Sequence, residues 1–361
     1  MRITLITEFF PTSDRLNFSG GVETRTYYIY FYLAKSNLVS VVSRNRKYLA
    51  ATSWSIVPRL WFMAGAIFKS ILLPCDIIEG SNFICYLPAW VAAKLKGVPA
   101  VAWFADVYQP VWFREFFLPA AIFGWLSEWL ALKLPWDKVI AMSQTTKEKL
   151  VSAGVSSDKI EVVYGGVEVE KLRNLTVKKY DRPTVCTIAR LVNYKRIEDL
   201  LSALAIIKRK IPRVQLVVIG EGPERKNFEK LTKEFNVTNR VKFMGELEHG
   251  RAMKILKKSH VFSLPSVVEG FGLVTVEAIA CGVPYVNSRI AVTEEITDGG
   301  KGGILVKPLK SGEIAKGIIQ LLLNKNLYSA KRREGLMFCR RYDWKRIVQK
   351  TFNVYRSVTT V

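Results

Sequence analysis

The chain has 361 residues, 49% hydrophobic and 24% charged, with 54 Lys+Arg against 31 Asp+Glu and a formal net charge of +23. That balance excludes a disordered or fibrous chain and is enough for two domains of ordinary size. The five cysteines (Cys75, Cys85, Cys186, Cys281, Cys339) are scattered and form no Cys-x-x-Cys pair, which argues against a zinc ribbon or a disulfide scaffold and for a reducing compartment.

The opening MRITLITEFFP lacks the charged region, apolar core and cleavage site of a signal peptide. No uncharged apolar run reaches the ~18 residues of a membrane span. Short β-branched runs alternate with longer helical stretches. Strands are expected at 3–7, 39–42, 77–79, 100–103, 139–142 and 161–163, then at 184–189, 215–219, 241–243, 261–264, 285–287 and 304–306. This alternation implies α/β domains with parallel sheets covered on both faces, and ligand sites at the carboxyl ends of their strands. Between the two series lies EVEKLRNLTVKKYDRP (168–183), polar and basic, which reads as a linker. The expected organisation is a first domain at 1–170, a linker at 171–183, a second domain at 184–342 and a closing segment at 343–361. The two domains are expected to face a central cleft.

Charge and aromatics are unevenly spread. Residues 1–170 hold 17 cations and 14 acids, leaving a net charge of +20 to residues 171–361. Eight of nine tryptophans lie between Trp54 and Trp136, mostly within WSIVPRLWFMAGAIFKSILLP (54–74) and VWFREFFLPAAIFGWLSEWLALKLPW (111–136). Cations beside Trp and Phe suit the interface of an anionic membrane. Buried helices are the plainer alternative. Nucleic acid is not expected as a partner, because no recognised binding motif appears and the aromatics lie away from the more basic half.

The most informative stretch is LPSVVEGFGLVTVEAIACGVPYV (264–286). A strand leads into the glycine-flanked Glu269-Gly270-Phe271-Gly272, and a helix is expected to start near Leu273. Glycine lets a backbone approach a ligand closely, and a helix N-terminus offers N–H groups to phosphate or sugar oxygens. Glu277 lies about two helical turns along, placed to accept two vicinal ribose hydroxyls. In GEGPER (220–225), Arg225 stands where a dinucleotide fingerprint needs its third glycine.

The 264–286 stretch resembles the E-x7-E motif of the family 4 retaining glycosyltransferases, whose fold is called GT-B. TIARLVNYKR (187–196) resembles the donor-phosphate segment, with Arg190 and Lys195 in the matching places. FPTSDRLNFSGGVETRTYYI (10–29) resembles the glycine loop of the first domain, with Gly20 and Gly21. EEITDGGKGGILVKP (294–308) and DWKRIVQKTFNVY (343–355) resemble later segments. The resemblance covers nearly the whole chain and is densest after residue 138.

It implies two Rossmann-like domains and retaining transfer of a hexose, mannose or glucose in type, from a GDP- or UDP-linked sugar. No cofactor and no metal are expected, since the chain has no Asp-x-Asp motif and Arg190 and Lys195 are placed for the diphosphate. Glu269 would hold sugar hydroxyls, Glu277 the ribose, and the backbone of Gly270, Phe271, Gly272 and Leu273 the donor. Where relatives carry His-Asp, this chain has Ala105-Asp106, so Asp106 is the candidate for part of that role. The acceptor expected is a lipid or lipid-linked sugar at the cytoplasmic face of a membrane. A soluble acceptor, a non-catalytic sugar-nucleotide-binding protein and a nucleotide-sugar epimerase are the alternatives.

Overall fold

In the computed structural model, which describes residues 1–11, 21–44, 56–109 and 111–359 (backbone only at Arg114 and Glu115), every expected strand forms within one residue of its expected ends. Val, Ile and Leu fill these strands because parallel strands are covered on both faces. The chain divides into two units, Met1–Gly165 with Trp344–Val361, and Gly166–Asp343.

The first unit runs β1 (Arg2–Thr7), α1 (Gly21–Leu33), β2 (Leu38–Ser43), α2 (Ile56–Leu72), β3 (Ile77–Gly80), α3 (Tyr86–Lys96), β4 (Ala100–Phe104), α4 (Trp112–Glu115), α5 (Leu118–Lys133), β5 (Lys138–Ala141), α6 (Gln144–Ser152) and β6 (Ile160–Val162). Its parallel sheet has the order β2-β1-β3-β4-β5-β6. One apolar core takes Ala66 of α2, Ala89 and Ala93 of α3 and Ala131 of α5, so these three helices cover the same face.

Helices α2 and α5 turn unusual residues inward. Helix α2 buries Arg59, Ala66 and Ser70 and exposes Val57, Leu60, Trp61, Phe68 and Leu72. Helix α5 buries Ala120, Ala121, Gly124, Glu128 and Ala131, together with Leu132, and exposes Leu118, Ile122, Leu126 and Trp129. The buried charges have partners. Arg59 Nε donates to Glu8 Oε1 at 3.0 Å, and Glu128 accepts from Tyr108 N at 2.8 Å and Trp112 Nε1 at 3.0 Å. Among the described residues no helix is long and apolar enough to cross a membrane.

The second unit runs α7 (Val169–Asn174), β7 (Thr184–Ile188), α8 (Ile197–Lys210), β8 (Gln215–Ile219), α9 (Arg225–Glu234), β9 (Val241–Phe243), α10 (His249–Lys258), β10 (Val261–Leu264), α11 (Leu273–Ala280), β11 (Tyr285–Ser288), α12 (Ala291–Ile296), β12 (Gly303–Val306), α13 (Ser311–Leu323) and α14 (Lys325–Phe338). Its parallel sheet has the order β12-β11-β10-β7-β8-β9. The stretch read as a linker is tied down within this unit. Lys257 Nζ donates to the Leu172 and Arg173 carbonyls at 2.8 and 2.6 Å, capping the end of α7. Further on, Tyr180 N donates to Lys258 O at 3.0 Å. One of the basic residues that suggested a connector, Lys179, donates from Nζ to the carbonyl of Ser259, just past α10, at 2.5 Å, and the unit boundary falls earlier, at Gly165/Gly166.

The closing helix α15 (Trp344–Val358) belongs to the first unit. Trp344 stacks on Tyr28 of α1 with ring centroids 4.7 Å apart. Deeper in, Arg25 pairs with both oxygens of Glu79, its guanidinium lies 4.8 Å from the Trp103 ring centroid, and Tyr355 Oη donates to Glu79 Oε2 at 2.7 Å. All three polar side chains are buried, so each bond replaces one to water. Removing a single donor leaves part of a buried carboxylate unpaired. Tyr355→Phe is therefore expected to destabilise the protein by about 1–3 kcal/mol, read as a lowered urea midpoint by circular dichroism. An unchanged midpoint would contradict this role for the triad.

Candidate functional site

The second unit's sheet order explains how distant motifs meet. β7 lies between β10 and β8, so the segments leaving their carboxyl ends are neighbours. The β7 and β8 segments are laced by backbone bonds from Leu191 N to Glu221 O at 2.9 Å and from Glu224 N to Leu191 O at 3.1 Å. The approach is close enough that a Cβ on Gly222 would lie 2.3 Å from Leu191 O. Glycine in GEGPER thus serves the shape of the Arg190 loop. Arg190 is exposed on that loop and forms no ion pair among the described residues.

Lys195 ends the next turn and reaches the β10 loop. Its Nζ donates to Glu269 Oε1 at 2.5 Å, and both side chains are largely buried. Ser266 Oγ donates to the same oxygen at 2.8 Å, and Val267 N donates to Tyr194 O at 2.9 Å. Two candidate residues 74 positions apart are therefore in contact.

Beyond Glu269 come Gly270 and the buried Phe271, whose ring meets Tyr342 edge-on at 6.0 Å. Gly272 has φ 83°, a left-handed turn that glycine adopts without cost, and Leu273 begins α11. Asn287 anchors this helix to the sheet. It accepts from Leu264 N at 2.8 Å and donates to Thr275 Oγ1 at 2.9 Å. Glu277 follows along α11, and its Oε1 lies 2.6 Å from His249 Nε2 at the start of α10. Burial works against a charged His249, but the Glu277 carboxylate outweighs it and holds the imidazole above its ordinary pKa. The result is a fixed carboxylate on a helix face, beside a cation–carboxylate pair at strand carboxyl ends. Such a set can hold vicinal hydroxyls and offer positive charge to an anionic leaving group.

In the first unit, Gly21 is exposed at the start of α1, while Gly20 lies outside the described residues. Asp106 follows β4, nearly buried. Its Oδ1 accepts from Lys149 Nζ at 2.7 Å and Val107 N at 2.8 Å. Burial pushes its pKa up, against the pull of Lys149. Glu128 stands behind the same loop, and burial pushes its carboxyl up to about 7. Sequence reasoning missed His249, Asn287, Lys149 and Glu128. His249 carried one signal, being one of only two histidines.

Comparison with known proteins adds an independent line. Residues 19–171 match the family described as Glycosyltransferase Family 4, and residues 168–335 match Glycosyl transferases group 1. The chain is 30% identical over 235 residues to an uncharacterized glycosyltransferase of Methanocaldococcus jannaschii, covering 61% of this chain and 60% of that one. It is 27% identical over 227 residues to a phosphatidylinositol N-acetylglucosaminyltransferase subunit of Homo sapiens, covering 62% and 46%. It is 28% identical over 206 residues to the GDP-mannose-dependent alpha-(1-6)-phosphatidylinositol monomannoside mannosyltransferase of Mycobacterium tuberculosis, covering 53% and 54%. The matches thus span about half to three fifths of these relatives' lengths. Among solved structures, the Anabaena protein HepE in complex with UDP-glucose matches with a TM-score of 0.79 at 20% identity, covering 99% of this chain and 100% of that one. Sucrose-phosphate synthase from Thermosynechococcus elongatus matches with a TM-score of 0.78 at 20% identity, covering 99% and 98%. These likenesses show the fold, which is GT-B.

Glu128 gives a signed pH dependence. Its ordinary pKa of 4.5 rises to about 7 in the folded chain, so between those values the folded state keeps a proton that the unfolded state loses. Its contribution to stability falls as pH rises through that window and is constant above it. Glu128→Gln should flatten this part of the melting-temperature profile. An equally steep profile in the variant would refute the assignment.

Proposed function

The chain belongs to the family 4 glycosyltransferases, and from that premise we propose that it transfers a hexose from a nucleotide-diphosphate sugar to a lipid or lipid-linked acceptor, with retention and without a metal. The observation that carries the donor half is the Lys195–Glu269 contact at strand carboxyl ends, with Glu277 on the helix that follows. In this reading Glu277 accepts the ribose hydroxyls, with His249 holding its other side. Gly270, Phe271, Gly272 and Leu273 bring backbone N–H groups to the donor. Glu269 holds sugar hydroxyls, while Lys195 and Arg190 neutralise the diphosphate.

The bond from the anomeric carbon to the phosphate oxygen breaks, and the acceptor oxygen bonds to that carbon on the same face. The acceptor's proton passes to the leaving phosphate. No carboxylate nucleophile is required, unlike in a retaining glycosidase. Lys195 is shared between Glu269 and the diphosphate, so donor binding repartitions the bond seen here. Asp106, fixed by Lys149 and with Ala105 beside it, is the residue we propose for part of the sugar-contact role, and Gly21, next to Gly20 in sequence, opens the first helix of its unit.

The lipid acceptor is supported by the phosphatidylinositol named for two relatives and by the apolar surface of α2 and α5. The same reading places the protein peripherally at the cytoplasmic face of the cell membrane. Guanine and uracil are both donor bases to test, one relative being named for GDP-mannose and the solved HepE complex for UDP-glucose.

Thermal stabilisation by UDP, GDP and ADP, each with and without magnesium, tests the donor half. A ligand at about 100 times its Kd adds about 2.7 kcal/mol, a readily measured shift. One nucleotide is expected to stabilise the protein equally with and without the metal, and Glu277→Ala to abolish the effect. No shift with any nucleotide would overturn the reading. In a transfer assay Glu269→Ala is expected to lower kcat by about 10²-fold or more, as loss of a group holding the reacting sugar does. Undiminished transfer would remove Glu269 from the mechanism.

A further inference from the structure

The faces of α2 and α5 are inverted relative to an ordinary surface helix, which turns its apolar stripe to the core. On α2 the outward Val57, Trp61, Phe68 and Leu72 recur at spacings of four, seven and four, which keeps them on one side, and Trp61 and Phe68 are 76% and 66% exposed. Opposite them lie the buried Arg59, Ala66 and Ser70. On α5 the outward Leu118, Ile122, Leu126 and Trp129 form a second stripe, opposite mostly small residues and the buried Glu128.

The two helices flank α3 on one face of the first sheet, with all three in the same core. On their inner side the Phe83 ring bridges the two helices, with the buried Arg59 guanidinium of α2 5.9 Å from its centroid and the Phe123 ring of α5 meeting it edge-on at 6.3 Å. An open groove of about 480 Å³ beside α2 is lined by Val42, Val57, Trp61 and Phe62, with Arg44 and Lys69 also at its wall.

The charges on these helices share one sign. Residues 56–72 contain no acid, and the acid of α5, Glu128, is buried. Each helix carries a lysine in its last turn, Lys69 and Lys133, and both are exposed. Parallel crossovers on one sheet face run their helices the same way, so these lysines lie at the same end of the pair. Exposed apolar stripes of this extent on one face of a unit mark an interaction site. Aromatic rings beside cations, with no exposed acid, fit the headgroup layer of an anionic bilayer.

We infer that the outward faces of α2 and α5 form one docking surface for an anionic phospholipid bilayer, with Trp61, Phe68, Leu126 and Trp129 inserted and Lys69 and Lys133 at the headgroups. The inference deepens the lipid-acceptor reading and takes its partner from it. Its test is separate, because vesicle binding requires neither donor nor acceptor.

The test uses the full chain with vesicles of phosphatidylglycerol and of phosphatidylcholine. Binding to phosphatidylglycerol is expected, weakening with added salt, and binding to phosphatidylcholine should be weaker. The Trp61→Ser/Phe68→Ser and Leu126→Ser/Trp129→Ser double variants should each lose about tenfold or more in partitioning, as removal of inserted apolar area requires. Their melting temperatures and nucleotide-induced shifts should be unchanged, which separates loss of docking from loss of the fold or of the donor site. Brominated lipid should quench tryptophan fluorescence less in Trp61→Phe than in the unmodified chain. Absence of vesicle binding, or binding unchanged in both double variants, would overturn the inference. So would an oligomer in solution that the same variants dissolve, which would assign the face to a second copy.

Discussion

The parallel order of the second sheet is the constraint on which the candidate site depends. Strand β7 sits inside that sheet, beside β10 and β8, and parallel strands send all their outgoing segments to one edge. Lys195 and Glu269 meet only because of that order. The glycines of GEGPER let two of these segments touch, and Asn287 ties the start of α11 to the sheet. A cation and two carboxylates are thereby held by backbone that has little freedom to move. Under the proposed function, such fixed charge stabilises a departing diphosphate without reorganisation during reaction.

The first unit solves a different problem. It buries Arg25, Glu79, Arg59, Glu8 and Glu128, which is costly unless each charge is paired or bonded. Arg25, Glu79 and Tyr355 satisfy one another and bind the last helix to the first sheet. Glu8 takes Arg59, which frees the opposite side of α2 to be apolar. The inverted helices and the buried ion pairs are thus two aspects of one arrangement. Polar groups turned inward are held by specific bonds, and the apolar stripes are turned outward.

Much of this was legible in the sequence, for identifiable reasons. The strands are short β-branched runs buried on both faces, a pattern with little ambiguity. Glu269, Glu277 and Lys195 stood out because glycine and charge recur there at the right spacing. The Lys195–Glu269 contact was not legible, since it requires the strand order. His249 was passed over because its position depends on how α10 packs beside α11. The stretch at 171–183 has the composition of a connector, and a basic residue such as Lys179, which bonds the carbonyl just past α10, looks the same in sequence as a solvated one. Composition alone could not say which way α2 and α5 face, since both sides contain apolar residues. Small side chains decide it: Ala66 packs in the core of the first sheet, and at Gly124 a Cβ would lie 2.4 Å from the Trp112 ring.

The account turns on residues 189–196 and 266–277 taking up one ligand together. Hydrogen–deuterium exchange of the full chain, with and without the nucleotide sugar whose nucleotide stabilises it, measures this directly. The account predicts slowed exchange in both segments at once, lost from both in Glu277→Ala. Protection confined to other parts of the chain, or to one segment alone, would contradict it.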